Sequence, residues 1–288
     1  MRTLVFGVDG QVGHALVTTA PQDARVVGLG RAACDLGDPD QITKAIQEAQ
    51  PEVIFNAAAY TAVDRAEGEA GLAHSINAVA PALIAQAARS VGAHLVHLST
   101  DFVFGGDAST PRTPQDAPGS VGVYARTKLE GERRVIEAAP DSLIVRTAWV
   151  YAARGANFVN TMLRLMRERD SLSVVADQIG TPTHAPSLAR ALWTLAATGS
   201  VQGIHHYTDA GVASWYDFAV AIEEEARVLG LLDHPVRIVP ISTRDYPTPA
   251  PRPAYSVLDK SATWALLGGP APHWRSNLRA NLLELKNG

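Results

Sequence analysis

Cysteine is nearly absent: Cys34 stands alone in 288 residues. One thiol makes neither a disulfide nor a cysteine-ligated zinc site within a chain, so a reducing cytoplasm is the expected location. Long apolar runs are missing too. No stretch reaches the ~18 consecutive apolar residues of a membrane helix, so no membrane partner is expected. The opening MRTLVFGVDG enters a strand-like run and then glycine, without the apolar segment and cleavage site of a signal peptide. Lysine occurs only at 44, 128, 260 and 286, and the net charge of −4 comes without a basic run. That argues against a nucleic-acid partner, because neutralising phosphates takes clustered cations. The nine histidines form no metal-like cluster. His94 and His97 project to opposite faces of a strand, as do His205 and His206, so they are read as structural and no metal site is expected.

What is present is an ordinary globular composition, 47% apolar and 19% charged, long enough for one large domain or two unequal ones. TLVFG (3–7), RVVGLG (25–30), PEVIFNAAA (51–59), AHLVHLST (93–100) and DSLIVRTAWVY (141–151) read as strands. QVGHALVTTA (11–20), PDQITKAIQEAQ (39–50), APALIAQAARSVG (80–92) and TKLEGERRVIEAA (127–139) read as the helices between them. Such alternation predicts right-handed βαβ units and an α/β fold, a Rossmann-like doubly wound parallel sheet. After about residue 150 the rhythm changes, with QIGTPTHAPS (178–187) read as a loop and SWYDFAVAIEEEARVLG (214–230) as an amphipathic helix. RDYPTPAPRPAYS (244–256) carries prolines at 247, 249, 251 and 253 and reads as a rigid extended loop. The expected organisation is a dinucleotide-binding unit over 1–150 plus about 187–230. A smaller, interleaved substrate unit takes about 151–186 and 231–288.

Three constellations carry chemistry. GVDGQVGH places Gly7, Gly10 and Gly13 between the first strand and the first helix. Glycine there permits a tight turn and close approach to a pyrophosphate, whose charge meets the free N–H groups of the helix start. After the second strand comes Arg31, with no acid until Asp35. Arginine suits a 2′-phosphate, so NADPH is expected to be at least tolerated, although a merely solvated arginine remains the alternative. Asp35 and Leu36 are placed under the adenine.

Tyr124 and Lys128, four apart, share one helix face. A nearby ammonium lowers a phenol's pKa, and such a tyrosine gives a proton to a carbonyl oxygen. The alternative is a surface tyrosine packed on a lysine stem. Thr100 ends the strand LVHLSTD, at the edge where ligands bind in parallel sheets, and Trp149 in RTAWVY ends another. A strand-end hydroxyl that only caps the next turn is the competing reading for Thr100.

Together GxxGQVG, NAAAYTAVDxAE, STDFVFxG, VYxxTKLxGE, RTAWVY, DQxGxPT and RPxxSxLD resemble the dTDP-4-dehydrorhamnose reductase family of extended short-chain dehydrogenases/reductases, from Gly7 to Asp259. The resemblance implies reduction of the C4 ketone of dTDP-6-deoxy-L-lyxo-4-hexulose to dTDP-L-rhamnose with NADPH or NADH. It implies Tyr124 as proton donor, Lys128 on that phenol and the nicotinamide ribose, and Thr100 on the substrate oxygen. Gly10, Gln11 and Val12 would meet the pyrophosphate, Ala59, Tyr60 and Thr61 would lie along the dinucleotide, and Asp101 and Trp149 would contact the sugar. Arg252 is added for the substrate's phosphates on charge alone. Some members dimerise around magnesium held by glutamates. Ala15 and Pro186 stand at two of those places here, leaving only Glu284, and neither supplies a side-chain oxygen. A monomer or a metal-independent homodimer is therefore expected. Competing functions are a reductase or epimerase of another nucleotide sugar, and a non-catalytic regulatory relative.

Overall fold

The computed structural model describes residues 1–288. Its first half runs β1 (Arg2–Phe6), α1 (Gln11–Thr18), β2 (Arg25–Leu29), α2 (Pro39–Ala49), β3 (Val53–Asn56), α3 (Val63–Ala66) and α4 (Ala70–His74). A π-helical turn (Ser75–Val79), α5 (Ala80–Val91), β4 (His94–Thr100), α6 (Gly122–Ala138) and β5 (Leu143–Thr147) follow. The second half holds β6 (Val150–Tyr151), α7 (Phe158–Glu168), β7 (Ser171–Val175), β8 (Ile179–Gly180), β9 (Thr183–His184), α8 (Ala185–Ala197) and β10 (Gly203–His206). It closes with β11 (Ala213–Ser214), α9 (Trp215–Val228), β12 (Arg237–Ile241), α10 (Ser261–Leu266) and α11 (Trp274–Asn287). No helix is long and apolar enough to cross a membrane.

The main sheet has the order β10-β5-β4-β3-β1-β2, and every adjacent pair is parallel. This is the expected doubly wound α/β sheet. The connection from β2 to β3 passes over β1, so the winding reverses between β1 and β3. That reversal opens a crevice at the carboxyl ends of the strands. Both faces are covered, which is why the strands read as continuous apolar runs. Val5, Phe55, Val96 and Val145 pack with Leu16 of α1 and with Leu188 and Leu192 of α8 on one face. Leu4, Phe6, Ile54, Leu95 and Ile144 pack with Ile42 and Ile46 of α2 and Ile84 of α5 on the other. Helix α2 starts where Pro39 follows the Asp38 cap, whose side chain accepts the Asp40 N–H at 3.0 Å.

A second core gathers α7, α9 and α11 around Met162, Leu163, Phe218, Ile222, Trp274 and Leu278. The buried face of α9, Phe218, Ala219 and Ile222 included, packs in this second core rather than against the sheet. Its amphipathic pattern specified a buried face without specifying what would cover it. The segment 178–187, expected to be a loop, contains β8 and β9, which pair with β11 and β6, and the start of α8. Strands of two residues are too short to leave a period in the sequence.

Candidate active site

A cavity of about 750 Å³ opens over the carboxyl ends of β1, β3, β4 and β5. Gly7, Gly10, Gln11 and Val12 form its wall at the start of α1. Gly13 is not in that wall. It lies beneath, where an added Cβ would fall 2.1 Å from the Gly7 carbonyl oxygen, so its role is close packing of helix on turn. Arg31, Asp35 and Leu36 line the β2 side, and Ala59, Tyr60 and Thr61 the β3 side. Asn77, on the π-helical turn, clamps this last segment: its Oδ1 accepts the Tyr60 N–H at 2.9 Å and its Nδ2 donates to the Tyr60 carbonyl at 3.1 Å. The Tyr60 hydroxyl donates to Glu69. The free N–H groups at the α1 start, the glycine turn and the cavity's size fit a dinucleotide.

Thr100, Asp101, Tyr124 and Lys128 line the same cavity. Burial pushes the Tyr124 phenol up to about 12, Asp101 acts in the same direction and the Thr100 hydroxyl against it. Lys128 is not among the groups that act on the phenol in this structure. The lysine is turned to β4 instead, where its Nζ donates to the Leu98 carbonyl at 2.7 Å and lies 3.4 Å from His97 Nε2. Burial lowers Lys128 to about 8, against the pull of Glu132 one turn along the helix.

His97, read as structural, is fully buried and outside the cavity wall, where it stands behind Lys128. Asn56 Oδ1 accepts the Ala58 N–H at 3.3 Å, and Asn56 Nδ2 lies 3.1 Å from His97 Nδ1. Burial, and secondly Lys128, hold His97 well below its usual range, so the ring is neutral.

Thr100 Oγ1 donates to Asp101 Oδ1 at 3.0 Å and accepts the Phe102 N–H at 3.2 Å, so it also caps the turn at 101–103. The capping reading of this hydroxyl holds, and Thr100 also lines the cavity. Asp101 is 2% exposed and its Oδ2 has no partner. Burial raises it to about 6, against Ser256 and Thr100. An acid whose folded value is raised binds its proton more readily when folded, so its burial destabilises the fold above about pH 6 and ceases to do so as pH falls toward its unfolded value. Asp101→Asn is expected to raise the melting temperature most at about pH 8, the gain shrinking toward about pH 5. Thermal melts of both proteins across that range check it.

Trp149 holds the left-handed backbone conformation with φ of 46°, which a bulky side chain adopts only when its surroundings impose it. Its indole stacks on Trp215 of α9 with centroids 3.5 Å apart and planes 7° off parallel. Both line the cavity, so the second core reaches the site through this pair. Trp215 carries no signal of its own in the sequence, where it lies inside the Ser214–Asp217 capping box and looks like any first-turn residue. Gln11 Oε1 accepts from Asn157 at 3.0 Å and its amide approaches the Val150 carbonyl at 3.4 Å, so its side chain links the start of α1 to β6 and the start of α7. Arg252 is not in the cavity wall. Its guanidinium donates to Asp64 at 2.8 Å and to the Ala250 carbonyl at 2.9 Å, tying the proline-rich loop to α3. Charge alone could not reveal that partner.

The family described as RmlD substrate binding domain matches residues 1–287. The dTDP-4-dehydrorhamnose reductase of Burkholderia thailandensis is 44% identical over 285 residues, covering 96% of each chain. That of Escherichia coli is 38% identical over 293 residues, covering 99% of this chain and 98% of its own. Among solved structures, the Bacillus anthracis dTDP-4-dehydrorhamnose reductase in complex with NADP superposes with a TM-score of 0.93 at 35% identity, covering 98% of this chain and 99% of that one. A Thermus thermophilus UDP-glucose 4-epimerase, at TM-score 0.83 and 18% identity over 100% of this chain and 99% of that one, speaks to the fold alone. Matched from end to end, and with one cavity holding the glycine turn together with the threonine, tyrosine and lysine, the chain belongs to the dTDP-4-dehydrorhamnose reductase family.

Proposed function

We propose that this protein reduces the C4 ketone of dTDP-6-deoxy-L-lyxo-4-hexulose to dTDP-L-rhamnose, using NADPH or NADH, with Tyr124 as proton donor. The observation that carries the proposal is that Thr100, Tyr124 and Lys128 line the cavity whose far end is the glycine turn. A reduced nicotinamide, when bound, supplies the hydride to the carbonyl carbon. Tyr124 meets the charge that develops on the oxygen. At neutral pH its raised value keeps the phenol protonated, which is the form a ketone needs from an acid. Thr100 orients the substrate oxygen, and Asp101, with a free Oδ2, holds a sugar hydroxyl. Lys128, its Nζ anchored on the Leu98 carbonyl, would meet the nicotinamide ribose and offset the negative charge left on the phenolate once Tyr124 has given its proton.

The test is to incubate the purified protein with the dTDP-keto sugar and with UDP and GDP analogues, following oxidation of NADH and of NADPH. Oxidation only with the dTDP sugar supports the proposal. Turnover of another nucleotide sugar alone, or of none, removes it. Trp149→Ala, which takes one face from the indole stack, is expected to raise KM about tenfold with a smaller change in kcat. The solitary buried cysteine suits a reducing cytoplasm as the place of action. Ala15 and Pro186 support a monomer or a metal-independent dimer. Light scattering with and without magnesium checks this, and a magnesium-dependent change in mass overturns it.

A further inference from the structure

In open parallel sheets the residue ending the second strand reads the adenosine ribose. A carboxylate there accepts from the ribose hydroxyls, while an arginine accommodates a 2′-phosphate. In this chain β2 runs into Gly30 and Arg31 with no acid of its own. A carboxylate nevertheless stands there. Asp9, from the turn between β1 and α1, reaches across so that its Oδ2 accepts the Arg31 backbone N–H at 2.9 Å. Gly30 makes the room: an added Cβ would fall 2.3 Å from Asp9 Oδ2 and 2.6 Å from Oδ1. Asp9, Gly30 and Arg31 all line the cavity. Asp35, the other acid on this side, is committed to its own loop, where Oδ1 accepts the Gly37 N–H at 2.9 Å.

We propose that Asp9 is the cofactor-selecting residue and that it makes this protein bind NADH in preference to NADPH, an inference that rests on the dinucleotide reading above. A fixed carboxylate accepts hydroxyl donors without further ordering. A 2′-phosphate brings about two negative charges to the same place and meets like charge there. Arg31 supplies attraction, but its side chain is exposed and unanchored. It must be ordered before it acts, and the solvent screens it. Asp9 is held by the backbone hydrogen bond, so the repulsion acts from a preset position. The discrimination works by an unfavourable contact with the wrong cofactor.

The test is calorimetric titration of the full chain with NADH and with NADPH, without sugar substrate. The wild type is expected to bind NADH at least about tenfold more tightly than NADPH. Asp9→Asn keeps an acceptor for the Arg31 N–H and removes the charge. It is expected to tighten NADPH about fivefold or more while changing NADH by no more than about twofold. Arg31→Ala is expected to weaken NADPH alone. Equal or tighter NADPH binding by the wild type overturns the inference, whether or not a variant folds. So does an unchanged NADH/NADPH ratio in Asp9→Asn. Both results leave dinucleotide binding intact, whereas failure to bind either cofactor overturns the dinucleotide reading together with this one.

Discussion

Tyr124→Phe is expected to lower kcat for ketone reduction by about a hundred- to ten-thousandfold, with cofactor affinity nearly unchanged. The substitution removes one oxygen and leaves the ring, which meets Phe102 edge-on at 5.6 Å between centroids, in place. Tyr124 is half-buried and lines the cavity, and burial is the largest cause of its raised value. Single-turnover assays with preloaded NADPH measure the loss. Calorimetric titration shows whether the cofactor still binds. A variant that reduces ketone at the wild-type rate would sink the assignment of Tyr124 as acid. The raised phenol also sets a sign for the pH dependence. Because protonated tyrosine is the competent form, ketone reduction is not expected to fall from phenol ionisation until the alkaline approach to about 12. Loss of rate nearer about 8 would instead report deprotonation of Lys128. Lys128→Met, which abolishes that titration, separates the two.

The parts of this site that the sequence made legible are those fixed by local backbone needs. The glycine turn is one, because tight turning and helix approach restrict residue type within seven positions. The ends of β3, β4 and β5 are others, since buried parallel strands declare themselves as apolar runs and parallel topology sends their ends to one edge. Tyr124 and Lys128 were legible as a helical pair. What Lys128 does with its ammonium was not, because Leu98 and His97 belong to another element. The same holds for Arg252, whose partner Asp64 lies 188 residues away, and for Trp215, which reaches Trp149 only because α9 joins the second core. Asp9 was visible as a letter in the glycine motif, yet its meaning depends on Gly30 leaving space across the sheet. Side-chain pairing between distant elements leaves no period in a sequence.

Glu132→Ala is expected to cost about 3–5 kcal/mol of folding stability, the largest loss expected of any single change near the site. Glu132 and Arg146 are each 2% exposed and paired twice, Arg146 Nε to Oε1 at 2.9 Å and Nη2 to Oε2 at 2.7 Å. The Ser99 hydroxyl donates to the same carboxylate, and the guanidinium lies over the Phe104 ring at 5.0 Å. Arg146 Nη1 already lacks a partner. Removing Glu132 leaves a cation buried with nothing opposite, and that desolvated charge, rather than the lost attraction, supplies most of the cost. A Glu132→Leu, Arg146→Leu double variant is therefore expected to be more stable than Glu132→Ala, although it makes fewer polar contacts. Urea melts of the two singles and the double measure the coupling, and additive losses would show that the pair is not acting as a unit. The pair also bears on the chemistry. Glu132 sits one turn after Lys128 and holds the ammonium's value up against burial. Its loss is expected to move the alkaline limb of the rate profile to lower pH in any variant that still folds, Glu132→Gln being the conservative choice. One carboxylate thus serves two cations: it pairs with Arg146 of β5 and raises the Lys128 ammonium against burial.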